Sequence, residues 1–176
     1  MRNIVLRFGI GAGCILVPLM LIPLSMGVHS EILGYSSMVL SFLLVFFGIR
    51  SYRDTVAGGA IGFVKAFQVG ILITLVTCAM YVIAWEIAYF NFFPDILDHY
   101  SARVLAEMRA TGASEAAIQE TTASLAKLAK NYRNPLFNSA VTFMEAFPVG
   151  LIMTLLSAAI LRRKPPQGAP ASAVPA

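Results

Sequence analysis

From Phe63 to Phe90 the chain reads FVKAFQVGILITLVTCAMYVIAWEIAYF, and Lys65 and Glu86 are its only charged residues. A bilayer core of about 30 Å is crossed by about 20 helical residues. The run is therefore long enough to span, and it decides the fold class: a helix in lipid. Eighty residues after Phe63, at Phe143–Leu155, the chain reads FMEAFPVGLIMTL. Seven of these thirteen positions match the opening of the first run, and the third exchanges Lys65 for Glu145.

The composition agrees. The 176 residues are 58% hydrophobic and 12% charged, and the mean hydropathy is +0.76. Soluble domains carry about twice that share of charge. The net charge of +4 does not mark a nucleic-acid binder, because the basic residues flank apolar runs and form no stripe. Nucleic acid is excluded as a partner and membrane lipids are expected. Cys14 and Cys78 fall inside apolar runs with no metal or redox spacing, so both read as buried apolar side chains.

Four spans are expected, at about 4–26, 33–49, 60–90 and 136–161. The first could serve as a cleaved signal peptide, with Arg2 and Arg7 ahead of it and small residues around 28–30. Its length, and Pro18 and Pro23 within it, favour a retained span. Lys and Arg set orientation. Eight of the thirteen lie at Arg2 and Arg7, at Arg50, Arg53 and Lys65, and at Arg162, Arg163 and Lys164, while the connection between spans one and two has none. The other five, in 91–134, break the alternation, but they are matched by Asp95, Asp98, Glu107, Glu115 and Glu120, and longer loops obey the rule less strictly. Both termini are therefore expected in the cytoplasm, with the segment 91–134 outside. Tyr81, Trp85, Tyr89 and Phe90 crowd the outer end of span three, as an interfacial belt does.

Residues 91–134 read as two amphipathic helices. Ile96, Tyr100, Val104 and Met108 share one face of the first, and Ile118, Thr121, Leu125, Leu128 and Tyr132 form the stripe of the second. Gly112 is the stop between them, Ser114 caps the second, and Asn134-Pro135 opens span four. The hairpin either covers the outer face of the bundle or lies on the headgroups. The expected architecture is all-α: an integral membrane four-helix bundle, residues 1–164, with an extramembrane helical hairpin between spans three and four. A disordered cytoplasmic tail, rich in Pro and Ala, follows at 165–176.

GYSSMVLSFLLVFFGIRSYRD at 34–54, FVKAFQVGILITL at 63–75, NYRNP at 131–135 and TFMEAFPVGLIMTLLSAAILRRK at 142–164 together resemble a bacterial family catalogued as domain of unknown function 4199. The resemblance covers nearly the whole chain. It implies a four-span inner-membrane protein and no particular activity. The recurrent family positions fall here on Arg50, Tyr52, Arg53, Asp54, Phe63, Lys65, Phe67, Gly70, Glu145, Pro148 and Gly150.

The repeated phrase opens spans three and four from opposite sides of the membrane. Inverted pairs of this kind occur in transporters, but spans one and two do not share it, and convergent packing or chance accounts for the match more simply. Gly70 and Gly150 allow close approach, as do Gly9 and Gly13 of GIGAG, which follows no strand and is not a dinucleotide loop. Thr74 and Thr154 can bond back to their own helices, and Pro148 removes a backbone donor from span four. Lys65 reads as a cytoplasmic anchor. Glu145 follows Leu136 by nine residues, roughly 10–15 Å below the outer surface. It should therefore turn inward, find a partner or stay protonated. His29, Ser36, Ser37, Tyr81 and Glu86 lie at a suitable depth. Glu86, beside Trp85, reads as interfacial.

In RSYRD at 50–54, Arg50, Tyr52 and Arg53 are candidates for lipid headgroup binding, set against a turn that Arg53 and Asp54 close. His29 and His99 belong to no metal-ligand or nucleophile pattern, so neither metal nor cofactor is expected. The leading functional expectation is a non-enzymatic accessory or scaffold protein of the envelope, self-associating or bound to a membrane protein. The alternative is a small ion-coupled carrier using Glu145 with Glu86. A lipid-acting enzyme comes third, for want of an acid–base–nucleophile set.

Overall fold

The computed structural model describes residues 1–27 and 31–163. His29, Lys164 and the tail lie outside them. The helices are α1 (Arg2–Ser25), α2 (Glu31–Thr55), α3 (Phe63–Asn91), α4 (Ile96–Ala110), α5 (Glu115–Tyr132) and α6 (Pro135–Leu161). Among the described residues there is no strand, only one isolated bridge, between Ile61 and Arg163. α1, α2, α3 and α6 are long and apolar enough to cross a membrane, which marks the chain as a multi-pass membrane protein.

The element boundaries follow from local chemistry. The Ser114 hydroxyl accepts from the Ala117 amide at 3.3 Å and caps α5. Gly112, at φ 75°, takes the left-handed conformation that ends α4. Asn134 Oδ1 accepts from the Leu136 amide at 3.0 Å, and Pro135 fills the first helical position, where a missing donor costs nothing. One boundary differs from the sequence reading. RSYRD forms no turn but the last turns of α2, because Arg50 and Asp54 sit four apart on one helical face and pair there. The chain leaves the helix after Thr55, and the reversal falls to Gly58 and Gly59, both at positive φ.

The chain divides into two compact units. The first comprises Met1–Met80 and the chain from Ala146 onward. It is a bundle of α1, α2, the first part of α3 and the last part of α6. α3 runs through it with Ala66, Val69, Ile73, Thr74, Thr77 and Cys78 all buried. Small residues make each contact with it. A Cβ on Gly9 of α1 would lie 2.7 Å from Val76 Cβ, and one on Gly13 would lie 2.6 Å from Met80 Sδ. Contact at that distance is open only to glycine, so these positions set how closely α1 and α3 approach. The Thr77 hydroxyl lies 3.2 Å from the Gly9 carbonyl across the same contact. Cys78 is buried, but Cys14 is exposed, contrary to the expectation. α1 buries Val5, Gly9, Ala12, Gly13 and Leu16, and Cys14 lies off that stripe.

The repeated phrase has a structural meaning in this unit. A Cβ on Gly70 would meet Thr154 Cγ2 at 2.8 Å, and a Cβ on Gly150 would meet Thr74 Cγ2 at 2.5 Å. Each glycine thus receives the threonine of the other copy, as a local two-fold axis between antiparallel helices requires. The Thr74 and Thr154 hydroxyls meet at 2.9 Å, and Thr74 also reaches the Gly150 carbonyl at 3.4 Å. The threonines bond across the pair and not back along their own helices, because two glycines bring the backbones close enough. Pro148 and Gln68, at the matched site, are both exposed, so neither contributes to this contact.

The second unit is Tyr81–Glu145, the far parts of α3 and α6 with α4 and α5 between them. α4 and α5 pack as a hairpin. Its core is aromatic. Tyr89 meets Trp85, Phe90 and Tyr132 at ring-centre distances of 6.2, 5.0 and 5.9 Å, and Tyr132 meets Phe137 at 6.0 Å.

Candidate functional site

The polar side chains of the second unit converge on Asn138, which is fully buried. Trp85 Nε1 donates to Asn138 Oδ1 at 2.8 Å, and the Thr142 hydroxyl reaches the same oxygen at 3.3 Å. Asn138 Nδ2 donates to the Tyr132 carbonyl at 3.5 Å. The amide therefore links α3 to the last turn of α5 and to its own helix. Beside it, the Ser139 hydroxyl donates to Glu86 Oε1 at 2.9 Å. Burial first, then the nearby Glu145, Tyr89 and Glu86, pushes the Tyr132 phenol up to about 12, so it stays neutral. Asn138 was not among the sequence candidates, and its one visible signal is an amide in the first turn of an apolar span.

Glu145 stands seven residues after Asn138, two helical turns on, on nearly the same face. Its side chain is exposed on one side and packs beside Tyr81 on another. Tyr81 OH donates to its Oε2 at 3.5 Å, the long limit for such a bond. Glu86 is half-buried. The two carboxylates take separate partners, Ser139 and Tyr81, and no hydrogen bond joins them. In the first unit Lys65 is exposed and forms no ion pair among the described residues.

At the end of α2, Arg53 Nε donates to Asp54 Oδ1 at 2.7 Å, and Arg50 Nε lies 3.6 Å from Asp54 Oδ2. The Arg53 side chain is 12% exposed and that of Arg50 57%. Tyr52 is buried. Of the three headgroup candidates, Arg50 is the one presented outward. Among the described residues no three His, Cys, Asp or Glu side chains are grouped as a metal site would need.

A family model described as a protein of unknown function (DUF4199) matches residues 7–163. The chain belongs to the DUF4199 family. No curated protein and no solved structure matches it significantly. The DUF4199 match takes in both copies of the repeated phrase, RSYRD and Asn138, and its description assigns no activity to any of them.

Proposed function

We propose that this DUF4199 member is a non-catalytic scaffold or accessory protein of the bacterial inner membrane, with both termini in the cytoplasm. One observation carries the reading. The buried polar residues, Ser41, Thr74, Thr77, Asn138, Thr142, Thr154 and Ser157, are all uncharged, and every buried side-chain nitrogen or oxygen among the described residues has a partner. A carrier needs a charged or exchangeable group inside its spans. Here the buried hydroxyls and amide are spent on helix contacts, and Glu145 is not among the buried residues.

The carrier alternative rests on Glu145 and Tyr81, and one experiment separates the two. The full-length protein is reconstituted into vesicles holding a pH-sensitive dye. Wild type and Glu145→Gln are both expected to leak protons no faster than empty vesicles. Flux that depends on Glu145 would replace the scaffold reading with the carrier one. A photoreactive residue at Ile83, Ile152 or Ile160, all exposed, is expected to give a discrete protein adduct in cells from at least one position. Labelling of lipid alone at all three sinks the scaffold.

Orientation has its own test. In a Cys14→Ala, Cys78→Ala background, Ala113→Cys is expected to react with an impermeant thiol reagent in intact cells, and Ala171→Cys is not. The motive is the distribution of Lys and Arg along the chain. The reverse labelling pattern would invert the topology.

A further inference from the structure

In the first unit the last turns of α2, the start of α3 and the end of α6 meet at one end, and backbone bonds hold them there. Ile61 and Arg163 exchange amide bonds at 3.1 and 2.9 Å, and the Gly59 amide donates to the Arg53 carbonyl at 2.9 Å. These bonds bring together the segments that carry Arg50, Arg53, Lys65, Arg162 and Arg163, and Asp54 is the one acidic residue on those segments among the described residues. Asp54 takes both arginines through Nε, so the terminal nitrogens of Arg50 remain available for a two-pronged contact with phosphate. Arg163 and Lys65 are exposed.

The surface next to these charges is apolar. Phe47 stands three residues before Arg50 and Ile160 three before Arg163, and they are 50% and 69% exposed. A charged rim over an exposed apolar wall matches an amphiphile with an anionic head and hydrocarbon chains. It does not match a free anion, which has no use for the wall. These residues also end the apolar spans, the level at which lipid phosphates lie.

We propose that this end of the bundle binds anionic phospholipid, with Arg50, Lys65 and Arg163 on the phosphate and Phe47 and Ile160 along the acyl chains. Asp54 and Arg53 position Arg50. The proposal deepens the membrane reading and does not depend on the scaffold one: a failed photo-crosslink leaves it standing, and its own failure leaves the scaffold standing.

The test is lipid binding to the purified full-length protein in mild detergent, followed by native mass spectrometry. The lipids are phosphatidylglycerol and phosphatidylcholine. Wild type is expected to retain phosphatidylglycerol preferentially. Each basic residue near a lipid surface contributes about 1 kcal/mol, or about five-fold in affinity. Arg50→Gln with Arg163→Gln should therefore weaken phosphatidylglycerol binding about 25-fold and leave phosphatidylcholine binding unchanged. Arg103→Gln with Arg109→Gln, on α4, removes the same charge and should change neither. The thermal midpoint in phosphatidylcholine reports folding. If the double variant does not fold, the single Lys65→Gln, at an exposed site, carries the test with a five-fold loss. Equal retention of both lipids by wild type overturns the proposal. So does an equal loss in the α4 control, which would mean bulk charge, or full displacement of the lipid by inorganic phosphate, which would mean a free-anion site.

Discussion

Gly150→Ala is expected to lower the thermal midpoint of the purified protein by roughly 2–12 °C. The added Cβ would lie 2.5 Å from Thr74 Cγ2 and 2.8 and 2.9 Å from two ring carbons of Phe42. Forcing a methyl into a packed contact costs about 1–3 kcal/mol, and each kcal/mol moves the midpoint of a chain of this size by about 2–4 °C. Gly150→Ile, with four more heavy-atom positions to place than glycine, should leave no folded protein in the membrane. The local two-fold axis makes the prediction specific. Thr74→Ser removes the clashing methyl and keeps the hydroxyl that meets Thr154, so it should restore part of the loss in Gly150→Ala. Thr154→Ser should do the same for Gly70→Ala, whose Cβ meets Thr154 Cγ2 at 2.8 Å. The crossed pairings, Thr154→Ser with Gly150→Ala and Thr74→Ser with Gly70→Ala, should restore nothing. A thermal melt of wild type, the two glycine-to-alanine variants and the four double variants decides it, and a neutral Gly150→Ala would mean that the helices are not in contact there.

Asn138→Leu is the second large effect. Leucine is close to asparagine in shape, so the substitution removes hydrogen bonds more than volume. Trp85 Nε1 and the Thr142 hydroxyl lose their acceptor, and the Tyr132 carbonyl loses its donor. A buried group left unpaired costs about 1–3 kcal/mol. Trp85 is the only tryptophan in the chain, so its emission reports this contact alone. The expected result is a blue-shifted emission maximum together with a lower thermal midpoint. Asn138→Asp keeps the acceptor for Trp85 and should hold the emission maximum near that of wild type. Unchanged emission in Asn138→Leu would show that the indole bonds elsewhere.

The features legible in the sequence are those written within one helix or one turn. Gly112, Ser114 and Asn134-Pro135 mark their boundaries because caps and stops depend on neighbours a few residues away. The four apolar runs declare themselves by length. What escaped the sequence lies between helices. Asn138 and Trp85 are 53 residues apart, and no local pattern says which of several polar residues at similar depth will face each other. The hydroxyls of Thr74 and Thr154 could as well have turned back on their own helices; only the pairing of α3 with α6 gives them each other. The exposure of Cys14 is hidden for the same reason, since an all-apolar helix does not announce which stripe it buries. The charges of RSYRD end an apolar run and so suggest a turn, but the end of a hydrophobic segment is not the end of a helix.

The Thr74–Thr154 bond also has a place in time. Its two partners are 80 residues apart in the chain, and at about 5–20 residues per second the ribosome takes roughly 4–16 s to cover that distance. Throughout that interval Thr74 has been made and Thr154 has not. A hydroxyl in hydrocarbon cannot wait unbonded, and the carbonyl one turn back, on Gly70, is within its reach. The newly made helix therefore implies a provisional hydrogen bond, given up when its inverted copy arrives.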